Sequence, residues 1–327
     1  DMLLAEQRSA GDAAPSDLDA LADALKRAPV VLGVVLDPAR NAPTPEGPPM
    51  LVQGAPPELP GLMIALGVTA PVERLRDAAK GLGVLTLAAP DGDPIRRAPL
   101  LAAGGGVVYG GLGVEALRVA SGDGNLVVDG GARTLRIGSY AIALGPDADL
   151  RLWPAAAEYR ARRTVPVAQL LDDAEMLRSA IAGKVLIIGA SAPETGGLRP
   201  TSADPFTPTA QIHADVIEQI VDGRAPRRPF SVMWLEIAAS VALAAVAIVA
   251  VSCWPPGRAS AATLALAALW LVACVAMWRW RALLVDPVWP SLAGLADMNE
   301  EMRGQRVAGV GNLEGGGAFG PQAEDDP

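Results

Sequence analysis

Residues Ser231 to Val251 read SVMWLEIAASVALAAVAIVAV, and Glu236 is the only charge among them. At a rise of about 1.5 Å per residue, a helix of this length crosses the ~30 Å hydrocarbon core of a bilayer. A transmembrane helix is therefore expected over residues 231–252. A break follows at Cys253, Trp254, Pro255, Pro256, Gly257 and Arg258, after which Ala259 to Trp278 (ASAATLALAALWLVACVAMW) carries no charge. Paired prolines and an arginine suit a short loop leading into a second span over residues 259–278. A buried hairpin in a soluble core is the alternative, but two runs this apolar seldom occur outside membranes. Trp234, Trp254, Trp278 and Trp280 stand at the run ends, where interfacial anchors belong.

Downstream, Ala282 to Ala296 is apolar but interrupted by Asp286, Pro287 and Pro290. It is expected to be a distorted or interfacial third span within residues 282–297. Gly304 to Pro327 is Gly-rich and acidic, with nothing to pack, and is expected to be a disordered tail.

The composition excludes much. The chain has 327 residues, 51% of them hydrophobic, with 27 Lys and Arg against 36 Asp and Glu for a net charge of −9. No concentrated basic field is present, so no nucleic-acid partner is expected. One His (His213) and two Cys (Cys253 and Cys274) exclude a zinc site built from several His and Cys within one chain. No metal or cofactor is expected. Both thiols fall in the apolar region, so the preceding residues form no disulfide, which an exported bacterial domain tolerates.

Upstream of Arg228, helical and strand-like patterns alternate. Ser16 and Asp19 form an approximate capping box ahead of LDALADALKRA, whose Leu18, Leu21 and Leu25 recur at helical spacing until Pro29. Val30 to Leu36 (VVLGVVL) has the wholly apolar character of a strand buried on both faces. A second unit pairs a short helix over Val72 to Lys80 with the strand-like GVLTLAA that follows. A third runs from the helix Met176 to Ala182 through Gly183 into KVLIIGAS. Leu126 to Val128 and Thr134 to Gly138 are expected to form a hairpin, and Gln211 to Asp222 an amphipathic helix with Ile212, Val216 and Ile220 inward and Gly223 as its stop. The expected fold class is α/β.

Four separated motifs carry a family resemblance: DMLLAE at the start, DGDPIRRAPLL at Asp91 to Leu101, IAGKVLIIGAS at Ile181 to Ser191, and DPFTPTAQIHADVIEQIVDGRAPRRP at Asp204 to Pro229. Over residues 1–229 the chain resembles the type 2 CHASE domain, the extracytoplasmic sensor of bacterial receptors that precedes adenylate cyclases, histidine kinases or serine/threonine kinases. The resemblance implies a mixed-sheet α/β sensor with flanking helices outside the inner membrane, then usually three transmembrane helices and a cytoplasmic catalytic domain. Two departures are expected to mark a fragment. The amino-terminal membrane helix and first strand-helix unit of the family are missing, and the residues after Ala296 are too few for an output domain. Sensing is thus implied, and enzymatic activity is not.

Candidate ligand-binding residues are Asp91, Arg96, Arg97, Asp204 and His213. The guanidinium forks of Arg96 and Arg97 suit an anionic ligand, against a surface turn with a local ion pair as the plainer alternative. His213 is expected beside the apolar stripe of its helix, where a structural hydrogen bond competes with a pH or anion response. Ser191, Asp204 and His213 follow the chain order of α/β hydrolases, but Pro193 stands where the nucleophile elbow needs a second glycine. Gly189 to Ser191 then reads as a close packing point. The clusters Gly104 to Gly106 and Gly110, Gly111, Gly113 lack phosphate-loop spacing and are expected to be flexible linkage. Glu236, an intramembrane carboxylate, is expected either to find a partner or to reach the headgroups.

Positive charge flanks the sensor side of the helix pair at Arg227, Arg228, Arg279 and Arg281, against Arg258 alone in the loop, which by itself argues for a cytoplasmic sensor. The resemblance argues for an external one and is followed, because large domains translocate largely regardless of loop charge. The expected partners are an unknown small ligand, the lipid bilayer and a second copy of the chain, through the small residues Ala238, Ala239, Ala242, Ala244 and Ala245. The stiff joint Asp222 to Phe230 is expected to carry the signal between the last sensor helix and the first span.

Overall fold

The computed structural model describes residues 15–39, 43–87, 93–122, 124–145, 147–172, 174–191 and 197–288. The chain divides into two units, Asp1–Ala225 and Pro226–Pro327.

The first unit is mixed α/β, with several small sheets rather than one. Helix α1 (Pro15–Lys26) begins at Pro15. Ser16 therefore lies inside the first turn rather than ahead of it, while Asp19 pairs with Arg74 of helix α2 (Glu73–Ala78). Ala22, Leu75 and Ala78 are the buried contacts between these two helices. Strand β1 (Val31–Asp37) is the apolar run expected to be a strand. It lies between β4 (Gly67–Thr69), antiparallel, and β5 (Gly81–Val84), parallel. The strand starts two residues ahead of the second strand-like run and takes in only Gly83 and Val84 of it; Leu85–Leu87 are not strand.

A second three-stranded sheet has the order β3 (Met63–Ala65), β7 (Leu101–Gly104), β8 (Val107–Gly110). The expected hairpin forms between β9 (Leu126–Asp129) and β10 (Thr134–Ile137), extended by β11 (Tyr140–Ala143) on one side and by β2 (Met50–Gln53) on the other. Alternation along β10 turns Leu135 and Ile137 inward and Arg136 outward. Pairs β6 (Arg97–Pro99) with β12 (Asp149–Arg151), and β13 (Leu198–Arg199) with β14 (Thr207–Pro208), complete the strands.

The main core gathers Leu100, Leu126, Leu135 and Ile137 of the strand region, Val114 and Leu117 of helix α3 (Leu112–Ser121), and Val216, Ile217 and Ile220 of a later helix, Thr209–Val221. The glycine clusters build this packing and are not flexible linkage. Gly105 and Gly106, with φ of 59° and 86°, close the two-residue turn between β7 and β8, which requires left-handed backbone at both positions. A Cβ on Gly111 would lie 2.1 Å from the Pro99 carbonyl oxygen, and one on Gly113 would lie 3.0 Å from Val216. These residues are bare because backbone and helix approach them closely.

The run Lys184–Ser191 is a further correction. It follows helices α4 (Ala157–Arg163), α5 (Val167–Asp172) and α6 (Ala174–Ile181), the last covering the helix expected there. The run itself is irregular, and Val185, Leu186 and Ile188 are 44%, 49% and 69% exposed. No strand among the described residues pairs with it, and without a neighbour to satisfy its backbone even a β-branched run does not become a strand. Ile187 alone packs against the main core.

The second unit is a helical hairpin of α8 (Phe230–Cys253) and α9 (Pro256–Arg281), joined by Trp254 and Pro255. Both helices are long and apolar enough to cross a membrane: Ser231–Cys253 and Gly257–Arg281 contain 18-residue stretches of mean hydropathy 2.3 and 2.1 respectively. Helix α9 ends at Ala282, whose φ of 51° turns the chain out of the helix. Leu283–Asp286 is not helical. The rest of the expected third span, and the tail over residues 304–327, lie outside the described residues.

A buried ion pair inside α3 gives the first test. Glu115, fully buried, accepts from Arg118 through both oxygens at 2.6 and 2.8 Å, and Arg118 also donates to the Lys80 carbonyl at 3.1 Å. Glu115→Ala strands a buried guanidinium and should cost about 3–5 kcal/mol, whereas the double replacement Glu115→Leu with Arg118→Leu should recover most of that loss. Urea unfolding midpoints of the three proteins check this. Equal destabilisation by the single and double variants would show that the pair's charge is not what matters.

Candidate functional site

The polar side of the last sensor helix, α7 (Thr209–Val221), and the short helix α4 form the densest cluster of charged side chains in the first unit. In the stretch Tyr159-Arg160-Ala161-Arg162-Arg163, the three-residue spacing of Arg160 and Arg163 puts both guanidinium groups on one helix face. Arg160 donates to Thr207 Oγ1 and to Asp204 Oδ2, each at 2.6 Å. Arg163 donates to Gln211 Oε1 at 2.7 Å and to Asp215 Oδ1 at 2.6 Å, and it lies 2.8 Å from Glu218. The Tyr159 ring sits 5.5 Å from the Arg163 guanidinium carbon, and its hydroxyl donates to Glu218 at 3.3 Å. Asp215 Oδ2 accepts the Ala155 amide, and Gln219 both accepts from and donates to the Trp153 backbone.

The electrostatics follow from these contacts. Asp204 accepts the Phe206 amide and faces Arg160, so its carboxyl is held below the usual range. Burial pushes the Asp215 carboxyl up despite Arg163. His213 is 3% exposed, and burial drives its imidazole down to about 4. One ring nitrogen is hydrogen-bonded to the Leu85 backbone, while Nε2 has no partner.

The four expected ligand residues that are described do not converge. Asp91 lies outside the described residues. Arg97 is neither free for an anion nor part of a local turn pair. It binds Asp147 at 2.6 Å and Asp149 at 3.0 Å, fastening β6 to the neighbourhood of β12. Arg96 is exposed. Asp204 is committed to Arg160, and His213, beside Ile212 at the margin of the stripe, is buried and hydrogen-bonded to the Leu85 backbone. The hydrolase relay does not assemble either. His213 bonds the Leu85 backbone and neither Ser191 nor Asp204, and Ser191 is exposed at the end of an irregular run. A Cβ on Gly189 would come 2.7 Å from the Ala210 Cβ, which fits the packing role expected there.

Sequence reasoning missed Arg160, Arg163, Thr207, Gln211 and Asp215. The signal was present in YRARR, whose Arg160 and Arg163 share one helix face, but pairing distant segments requires the fold. A shallow cavity of about 300 Å³ lies apart from this cluster, on the outward face of β2, β9 and β10, with Leu51, Gln53, Val127 and Arg136 in its lining. None of the expected ligand residues lines it.

A family model described as the CHASE2 domain matches residues 1–252. No curated protein and no solved structure matches the chain.

The buried imidazole sets an acid response. His213 takes up its proton near pH 4 when folded and near 6.5 when unfolded, so its contribution to stability is complete above pH 6.5 and is lost as pH falls toward 4. A 2.5-unit difference corresponds to roughly 3 kcal/mol. His213→Leu should therefore flatten the loss of stability between pH 6.5 and 4.5 relative to the parent. Urea midpoints at the two pH values measure it, and parallel pH curves for the two proteins would contradict it.

Proposed function

Because the chain belongs to the CHASE2 domain family, a family of sensor domains in signal transduction, we propose that it is a membrane-anchored sensory module. It binds a small ligand outside the cell membrane and passes the signal through its apolar helices to an output domain, carried on the same or a separate chain. The observation that carries this most directly is continuity. The family match runs to residue 252, nearly to the end of α8, so sensor and first apolar helix belong to one conserved module. The exposed apolar side chains of both hairpin helices, among them Val241, Val249, Leu269 and Val272, suit contact with lipid.

The sensor lies outside the membrane and the Trp254–Arg258 loop in the cytoplasm, with a second copy of the chain as signalling partner. Arg97 and Asp204 serve the fold, and the ligand meets a group such as the exposed Arg96 or the outward Arg136. The module is not itself an enzyme.

Two measurements test this. Alkaline phosphatase fused after Arg258 should be inactive in cells, and an active fusion would place the sensor on the cytoplasmic side. Thermal unfolding of the full chain in detergent, scanned against a panel of small metabolites and anions, should find a ligand that raises the midpoint, by about 2.7 kcal/mol of stabilisation at a hundredfold excess over its dissociation constant. A panel of small carboxylates, phosphates, amino acids and sugars that leaves the midpoint unmoved would defeat small-ligand sensing.

A further inference from the structure

Glu236 sits inside α8, with a side chain only 11% exposed, and both of its carboxylate oxygens are in use. Arg228, just before the helix, donates from Nη2 to Oε2 at 2.7 Å. The backbone N–H of Asp286, beyond the end of α9, donates to Oε1 at 2.7 Å. Beside these bonds, the Arg227 N–H donates to the Ala282 carbonyl at 2.8 Å, and the Leu284 N–H donates to the Arg227 carbonyl at 2.9 Å, which makes a parallel bridge between Arg227 and Leu283. The peptide that leads into the hairpin and the peptide that leaves it are thus joined side by side, and one carboxylate touches both.

We propose that Glu236 is a clasp that makes these two peptides move as one, so that a displacement delivered at Arg227 reaches Leu283–Asp286 directly. Along the chain the same two points are separated by helices of 24 and 26 residues, about 75 Å of helix at a rise of 1.5 Å per residue. A signal sent through that path would have to survive the Trp254–Pro255 turn. The clasp makes the far end of the hairpin a passive anchor and the segment after Ala282 the outgoing conduit. An intramembrane carboxylate is costly unless paired, so placing one where it holds a guanidinium and an amide from two different segments gives it a mechanical role that an apolar residue cannot supply. The outgoing role of the 282–286 segment rests on the sensory function proposed above, whereas the clasp itself does not.

The test is amide hydrogen exchange on the full chain in lipid nanodiscs, without ligand, so it succeeds or fails independently of whether sensing is established. The informative amides are those of Arg227 and Leu284, because neither touches Glu236. Glu236→Ala should speed exchange at both by tenfold or more, and Glu236→Gln, which keeps one acceptor and the side-chain shape, by less. A flexible Gly-Gly-Ser inserted between Trp254 and Pro255 should leave both unchanged. Unaltered exchange at Arg227 and Leu284 in Glu236→Ala would reduce the carboxylate to a local hydrogen-bond acceptor and overturn the proposal. So would a loop insertion as disruptive as the substitution. If Glu236→Ala loses its helical signal, Arg228→Ala, which removes one arm only, should still speed both amides severalfold, and no change there overturns the clasp equally.

Discussion

The pairing of Arg163 with the polar side of α7, and of Arg160 with Asp204 and Thr207 just ahead of that helix, is the constraint around which the first unit is arranged. One face of that helix supplies Val216, Ile217 and Ile220 to the main core. The opposite side carries Gln211, Asp215 and Glu218, which would be expensive to cover without partners. Arg163 provides those partners from α4, and Arg160 on the same helix face binds Asp204 and Thr207 at the base of α7. Burying α7 in turn encloses His213, and Gly223, with a φ of 63°, follows the end of the helix.

Much of this was legible in the sequence where a single segment contains its own instruction. The period of Ile212, Val216 and Ile220 placed α7 and its inward face, and the alternation around Leu126 and Thr134 placed the β9–β10 hairpin. Two uninterrupted apolar runs placed the helices of the hairpin. In each case the driving term is local: periodic burial or bare length.

Readings that depended on what a segment meets fared less well. Arg97 was matched to its neighbours in DGDPIRR, yet its partners are Asp147 and Asp149. The glycines of residues 104–113 looked like slack, yet Pro99, Val216 and a primed turn each require their bareness. His213 follows Ile212 directly, so a helical wheel puts it at the margin of the stripe, and only the packing of α7 between two layers shows how completely it is enclosed. Lys184–Ser191 had every local mark of a strand and lacked the one thing a strand cannot supply for itself, a hydrogen-bonded neighbour.

That last segment bears on how self-association of the molecule should be interpreted. The β-branched Val185 and Ile188, with Leu186, present apolar surface beside backbone that pairs with no strand among the described residues, the combination by which one chain adds a strand to another. Copies of the first unit can therefore adhere through residues 185–188 with no help from the apolar helices and in no particular geometry. A dimer of that unit in dilute solution would report stickiness of this run, and only association that persists after a charge is placed at Ile188 would bear on a symmetric receptor pair.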